Sequence, residues 1–475
     1  MTTGLERIAA KARCEPKLRF TSLAHHITKE RVWVNLCQIP AKSAAGVDGE
    51  TVTETKESFE EWIAGMLQSV HREGYRAPEI RRVYIPKPGK QEMRPLGVPT
   101  VADRALQRSA SQILSAIYEQ DFLSCSFGGR TGRGAHQALA TLHERIAGGK
   151  IEWVVEADLK NFFGSLSHEW MLRFVEHRVG DQRLISLIRR WLKAGVLENG
   201  EIHPSEEGTP QGGSISVLLS NVYLHYVLDL WFERVVKPRL RGEACMVRYI
   251  DDFVLCFQYR ADALRAQEAL AKRLRRFSLT LEPTKTKLVE FGRFAHRHAS
   301  KRGRKRPETI YFLGFTLYCT RNQKGNFRIG MLTGKSRLRR ALMRLQDQMR
   351  RMRHLSFQEQ VDHLNQMLRG HYAYYGIAGN FHALRQVHRA VERYWRKNVE
   401  QSELERRDLV GAIPSDQRTV PAATTKAVSP LQGAASYRHA VKQLLKSVVR
   451  EICTLRSVGA GGGRPPPATR WVSRE

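Results

Sequence analysis

The stretch CMVRYIDDFVLCF, residues 245–257, decides how the rest of the chain is read. It is an apolar run, yet two adjacent carboxylates, Asp251 and Asp252, break it in the middle. A buried carboxylate is costly unless positive charge meets it, and a divalent cation reverses that cost. The segment therefore reads as two short strands of a hairpin, with the acids at the turn facing a cleft. Mg2+ takes oxygen ligands from one or two carboxylates plus substrate phosphates, and a pair of ions needs a further carboxylate from another strand. Asp158, in VVEADLKNFF, is the candidate: an acid directly after an apolar strand. Taken singly, each acid also reads as a strand end or a helix cap. The combination of strand-Asp with strand-Asp-Asp is far more specific.

Other segments supply what such a site would need. Phe163 follows Asp158 by five residues and would lie under a nucleotide sugar, excluding a 2′-hydroxyl and selecting deoxynucleotides. With Phe162 adjacent, one of the two phenylalanines belongs to the core. GTPQGGSISVLLSN (208–221) is a Gly-rich loop entering a helix, where backbone approaches phosphate closely, and Gln211 would hydrogen-bond the incoming nucleotide. YIPKPGKQEMRPLGVP (84–99) reads as a strand, a Pro-Gly turn and a returning strand. Lys87 and Arg94 flank that turn and would clamp the β- and γ-phosphates, with Lys90 competing for the role of Lys87. In LTLEPTKTKLVEF (279–291), Lys285 follows a Pro-initiated turn and would protonate leaving pyrophosphate as a general acid. IYFLGFTLY (310–318) is a strand pair kinked at Leu313 and Gly314, a place suited to gripping a primer end.

The bulk properties agree. The chain has 475 residues, is 42% hydrophobic and carries a formal net charge of +31, which points to two to four domains and a polyanionic partner. No run of ~18 apolar residues suggests a membrane span, and the N-terminus lacks a signal-like apolar core, so a cytoplasmic location is expected. The seven cysteines include no CxxC pair, which argues against a zinc-bearing nuclease module. The composition leaves the oligomeric state open.

In their order, GVDG, YIPKPGKQEMRPLGVPTVADRALQ, EADLKNFF, GTPQGGSISVLLSN, RYIDDF, LEPTKTK and FLGF resemble the group II intron-encoded and group II intron-like reverse transcriptases. LNQMLRGHYAYYG (364–376) resembles their thumb or maturase segment. The resemblance spans about residues 20–400 and implies an α/β (α+β) right-hand polymerase. Its parts would be an N-terminal extension (1–40), fingers (41–150), a palm with an antiparallel sheet (151–332), and a helical thumb (333–400). A linker (401–434) and a basic helix with a flexible tail (435–475) would follow. By resemblance, Asp158, Asp251 and Asp252 carry two Mg2+ ions, with Mn2+ able to substitute. Phe163 resembles the sugar gate, Gln211 a nucleotide contact, and Lys87 with Arg94 the triphosphate clamp. The implied partners are an RNA or DNA template, a DNA primer and deoxynucleotides.

One departure stands in the decisive stretch. Intron-encoded members usually have Ala where this chain has Ile250, beside Tyr249. Ile there is similar to a stand-alone lineage, for which the resemblance implies double-strand break repair by microhomology-mediated end joining. The bulky side chain would press on the primer end and tune its handling. The alternative is an intron-encoded enzyme and maturase that binds intron RNA and assists splicing and retrohoming. The basic run HRHASKRGRKRP (296–307) would touch template or duplex, or form a solvated insertion.

Overall fold

The strands, numbered along the chain, are β1 (Ile80–Pro86), β2 (Met93–Val98), β3 (Trp153–Ala157), β4 (Val196–Glu198), β5 (Glu201–His203), β6 (Ala244–Tyr249), β7 (Asp252–Phe257), β8 (Lys287–Glu290), β9 (Ile310–Phe312), β10 (Phe315–Arg321) and β11 (Phe327–Thr333). The computed structural model describes residues 4–86, 93–198, 200–209 and 213–411. These belong to two units, Met1–Leu313 with Tyr318–Ile329, and Gly314–Leu317 with Gly330 onward.

The first unit is built around a sheet in the order β6-β7-β3-β8, every neighbouring pair antiparallel. Its central strands are apolar on both faces: Phe253 to Phe257 are all buried, as are Val154, Val155 and Ala157. That is why the sequence there shows an unbroken apolar run rather than alternation. The helix Arg260–Arg276 lies against β3 and β7. A second sheet, β2-β1-β4-β5, carries the antiparallel β1–β2 hairpin expected from the Pro-Gly segment.

A buried polar centre ties helices to this frame. Asp103, in the helix Val101–Asp121, accepts hydrogen bonds from Tyr75 Oη (2.7 Å), Trp191 Nε1 (2.7 Å) and Gln107 Nε2 (2.8 Å). The N-terminal segment is fastened just as firmly. Arg178 donates to the carbonyls of Ala12, Glu15 and Leu18 and pairs with Asp121 at 2.9 Å, while Asp181 accepts from the Leu23 and Ala24 N–H groups.

Residues 214–236 read in sequence as one long buried helix. The structure has an α-helix over Ser216–Leu224 and then wider π turns at His225–Asp229 and Phe232–Val236. Such turns insert an extra residue per turn and commonly mark functional positions. Here the first ends on Asp229, fully buried beneath the central sheet's hairpin.

The second unit contains the helices Lys335–Arg351, Phe357–Tyr375 and Phe381–Gly411. Leu345, Met349, Leu364, Leu368, Tyr372, Val387, Val391 and Trp395 form its core. Tyr372 is the buried tyrosine of HYAYYG; Tyr374 is half-buried and stacks on Phe315. Asn380 staples the start of the unit, accepting from Thr333 N–H and donating to Thr333 Oγ1 and the Tyr375 carbonyl, each at 2.8 Å. The last helix continues to Gly411, past the boundary expected at 401, because SELERRDLVG consists mostly of helix formers and the next proline is Pro414. The basic helix and tail expected after 434 lie outside the described residues.

Candidate active site

Tyr249 pairs with Asp252 across β6 and β7, so Ile250 and Asp251 alone make the hairpin turn. On the other side of β7, Ala157 of β3 is opposite Phe253. Asp158 is the residue after that last registered pair; its charge acts on Asp251, and Lys285 is acted on by both Asp158 and Asp252. The acids at 158, 251 and 252 are therefore gathered at one corner of the sheet.

The electrostatics show what surrounds them. Burial pushes the Asp251 carboxyl above its ordinary pKa, and the neighbouring charge of Asp158 adds to this; Arg94 and Lys285 oppose it. Arg94, on β2, thus lies within electrostatic reach of the turn. The Lys285 ammonium donates to Asp158 Oδ2. That hydrogen bond raises the lysine pKa, with the charges of Asp158, Glu282 and Asp252 contributing. At rest Lys285 is the counter-ion of Asp158 rather than a poised acid.

The turn itself is strained. Ile250 has φ 58°, a left-handed conformation that β-branched residues rarely adopt; two-residue hairpins place Gly, Asn or Asp at such positions. The cost is about 1–3 kcal/mol and persists only where surroundings enforce it. They do so through Arg248, fully buried in β6. Its guanidinium has five N–H donors, and all five have acceptors. Nε donates to Asp229 Oδ1 (2.7 Å) and Nη2 to Asp229 Oδ2 (2.6 Å) and Ser126 Oγ (2.8 Å). Nη1 donates to Asn221 Oδ1 (2.9 Å) and to the Ile250 carbonyl (3.0 Å). Asn221 in turn donates to the Gly128 carbonyl at 2.8 Å. Gly128 presses on the turn so closely that a Cβ there would fall 2.7 Å from Ile250 Cγ1 and 2.8 Å from Ile250 N.

Sequence reading missed this network, although a signal was present. An arginine inside an otherwise buried strand demands a partner.

The remaining sequence candidates fall as follows. Phe162 is buried; Phe163 is half-buried, meets it edge-on at 5.2 Å, and accepts from Thr209 N–H through its carbonyl at 2.7 Å. Phe163 is thus joined to the loop that leads towards Gln211. Gln211 and Lys87 lie outside the described residues. Leu313 and Gly314 both have positive φ, 49° and 83°, as a tight two-residue turn between β9 and β10 requires. The basic run 296–307 begins in the helix Ala295–Lys301, which follows the far end of β8.

The donor set suits a hard divalent cation, since the acids offer only oxygen and Asp251 is crowded by like charge. Among the described residues, no three acidic, His or Cys side chains converge on one point as they stand, and Asp158 is turned to Lys285.

Acids clustered on an antiparallel sheet's hairpin, with a basic β-hairpin facing them, are the palm and fingers of a right-hand polymerase. Residues 85–317 match the family model described as reverse transcriptase (RNA-dependent DNA polymerase). The chain is 34% identical over 250 residues to the group II intron-encoded protein LtrA of Lactococcus lactis subsp. cremoris, covering 50% of this chain and 41% of that protein. It is 32% identical over 247 residues to the protein YkfC of Escherichia coli (strain K12), covering 50% of this chain and 64% of YkfC. A shorter match, 30% identity over 151 residues, is to nuclear intron maturase 4, mitochondrial, of Arabidopsis thaliana, covering 31% and 18% of the two chains. The chain thus spans less than two thirds of the curated relatives it matches here. Residues 85–317 thus match a reverse transcriptase domain, and the chain is similar over half its length to a group II intron-encoded protein. Among the described residues no helix is long and apolar enough to cross a membrane.

Proposed function

We propose that the chain is an RNA-directed DNA polymerase that extends DNA primers on RNA or DNA templates. The hairpin turn at Asp251 and Asp252, close to the end of the strand that precedes Asp158, is the observation that supports the reading. Asp158, Asp251 and Asp252 would hold divalent ions, Mg2+ or Mn2+. Such ions, when bound, activate a primer 3′-hydroxyl and neutralise charge on the departing pyrophosphate. The chain's own residues do the rest. Arg94, with Lys87, clamps the β- and γ-phosphates, and Gln211 hydrogen-bonds the nucleotide. Phe163 closes the space a 2′-hydroxyl would need. The hydroxyl oxygen, losing its proton to water, bonds the α-phosphorus as the bridge to the β-phosphate breaks. Lys285, held beside Asp158, would give its proton to the pyrophosphate. Leu313 and Gly314 hold the primer end.

Two physiological roles follow. Ile250, with Tyr249 beside it, supports double-strand break repair by microhomology-mediated end joining. The likeness to a group II intron-encoded protein and to an intron maturase supports assistance to splicing and mobility with an intron RNA partner. One assay separates them. Purified protein is given deoxynucleotides and Mg2+ or Mn2+ with a long pre-annealed primer, or with single strands sharing only a few complementary 3′ bases. Joining and extension of the short-overlap strands supports repair; activity on the long primer alone supports the intron role. No extension in either reaction, or extension undiminished in Asp251→Asn, Asp252→Asn, refutes the polymerase reading. Ile250→Ala should shift the balance between short-overlap and long-primer extension, and an unchanged balance removes the repair argument.

A further inference from the structure

The catalytic acids occupy one end of the central sheet; a pocket of about 570 Å³ occupies the other. Its wall includes Trp153, which opens β3, whereas Asp158 follows the strand's opposite end. Five residues of strand separate them by about 16 Å. Tyr259 and Phe294 line the pocket and are 46% and 49% exposed. The Arg260 guanidinium sits 5.7 Å from the Trp153 ring centroid, and Arg293 lies exposed in the same wall. The basic lining residues Lys150, Arg260, Arg293 and Arg302 outnumber the acids Glu152 and Glu290. Glu290 is already engaged by His298 Nδ1 (2.6 Å) and Arg302 (2.8 Å). Burial pushes the Glu152 carboxyl towards its neutral form. Next in the chain comes the exposed basic segment Arg302 to Arg306, which the polymerase site does not use.

Exposed aromatic faces beside cations are the pairing that binds single-stranded nucleic acid: bases stack, phosphates meet arginine, and the sequence matters little. We propose that the pocket is a second nucleic-acid site, holding an unpaired segment of DNA or RNA on the palm's rear edge, away from the primer end. The choice of ligand class rests on the reading of the chain as a polymerase; the location does not.

The test uses the full-length protein with unlabelled primer–template at saturation. Binding of a fluorescein-labelled oligothymidylate or oligouridylate is then followed by anisotropy. Tyr259→Ala, Phe294→Ala and, separately, Arg260→Gln, Arg293→Gln should each weaken this second binding at least about fivefold. The arginine variant should also flatten its salt dependence by a slope of about 1.4. Extension of a pre-annealed primer should stay within twofold in both, which shows that the fold and the polymerase site are intact. Asp251→Asn, Asp252→Asn should bind the oligonucleotide as the wild type does, so failure of extension and failure of this site are separate results. Photocrosslinking of bromodeoxyuridine-substituted strands to the wild type should label Trp153, Tyr259 or Phe294. No second binding event, unchanged affinity in the aromatic variant, or crosslinks confined to other regions overturns the proposal.

Discussion

Replacing Arg248 by Met removes five hydrogen bonds at once and leaves the fully buried Asp229 carboxylate without the guanidinium that neutralises it. Breaking a buried ion pair from one side costs about 3–5 kcal/mol, whereas replacing both partners by apolar groups is often neutral. Arg248→Met should therefore lower the urea-unfolding free energy by about that amount, a large part of a typical 5–15 kcal/mol. Arg248→Met, Asp229→Leu should recover most of it, giving a coupling energy of at least about 2 kcal/mol. Primer extension should not follow the same pattern. The Ile250 carbonyl loses its donor in both variants, so turnover should stay depressed in the double variant although stability returns. A double variant that regains stability and full turnover together would show that the network only supports the fold. A double variant as unstable as the single would show that the pair is not the source of the cost.

Other outcomes follow from the same site. Gly128→Ala should destabilise by about 1–3 kcal/mol through overpacking against Ile250 and depress extension, read by unfolding and primer assays. Phe163→Ala should raise ribonucleotide incorporation relative to deoxynucleotide by about 10- to 100-fold in single-nucleotide extension; an unchanged ratio removes Phe163 as the sugar gate. Burial holds the His225 imidazole down at about 4. It is neutral in the folded state, so stability is full above the free-imidazole pKa of 6.5 and falls as pH drops towards 4. A shift of this size is worth about 3 kcal/mol. His225→Phe should flatten that part of a melting-temperature profile, and an identical slope in the variant refutes the assignment. Lys285→Met should slow extension while leaving the melting temperature nearly unchanged, since its ion pair with Asp158 is largely exposed on the lysine side.

The acidic hairpin is legible because it depends on period and register, which are local. An apolar run broken by Asp251 and Asp252 reads as a hairpin with its acids at the turn, and Asp158 follows a strand of the same character. The support beneath was not legible in the same way. Arg248 announces itself as a charge in a buried strand, but its partners lie in a loop and on a helix that linear spacing does not connect to it. Ile250 stands out in the sequence by its bulk, not by its backbone, because a β-branched residue argues against the left-handed φ it adopts. The π turns were hidden for a related reason: the apolar pattern of 214–236 suits any tightly wound helix, and only contacts select the wider winding.

The bond from Arg248 to Ser126 closes a loop of 122 residues. Lys285 reaches Asp158 across 127. Contacts of such separation form slowly and late, after the cost of closing long loops has been met. On a ribosome, then, the strand that ends at Asp158 is complete well before the lysine that will neutralise it has been synthesised. The corner that gathers three like charges is assembled only when its long-range supports arrive. A chain interrupted before Lys285 would have the acids without their internal cation, so this corner cannot acquire its full geometry piecemeal.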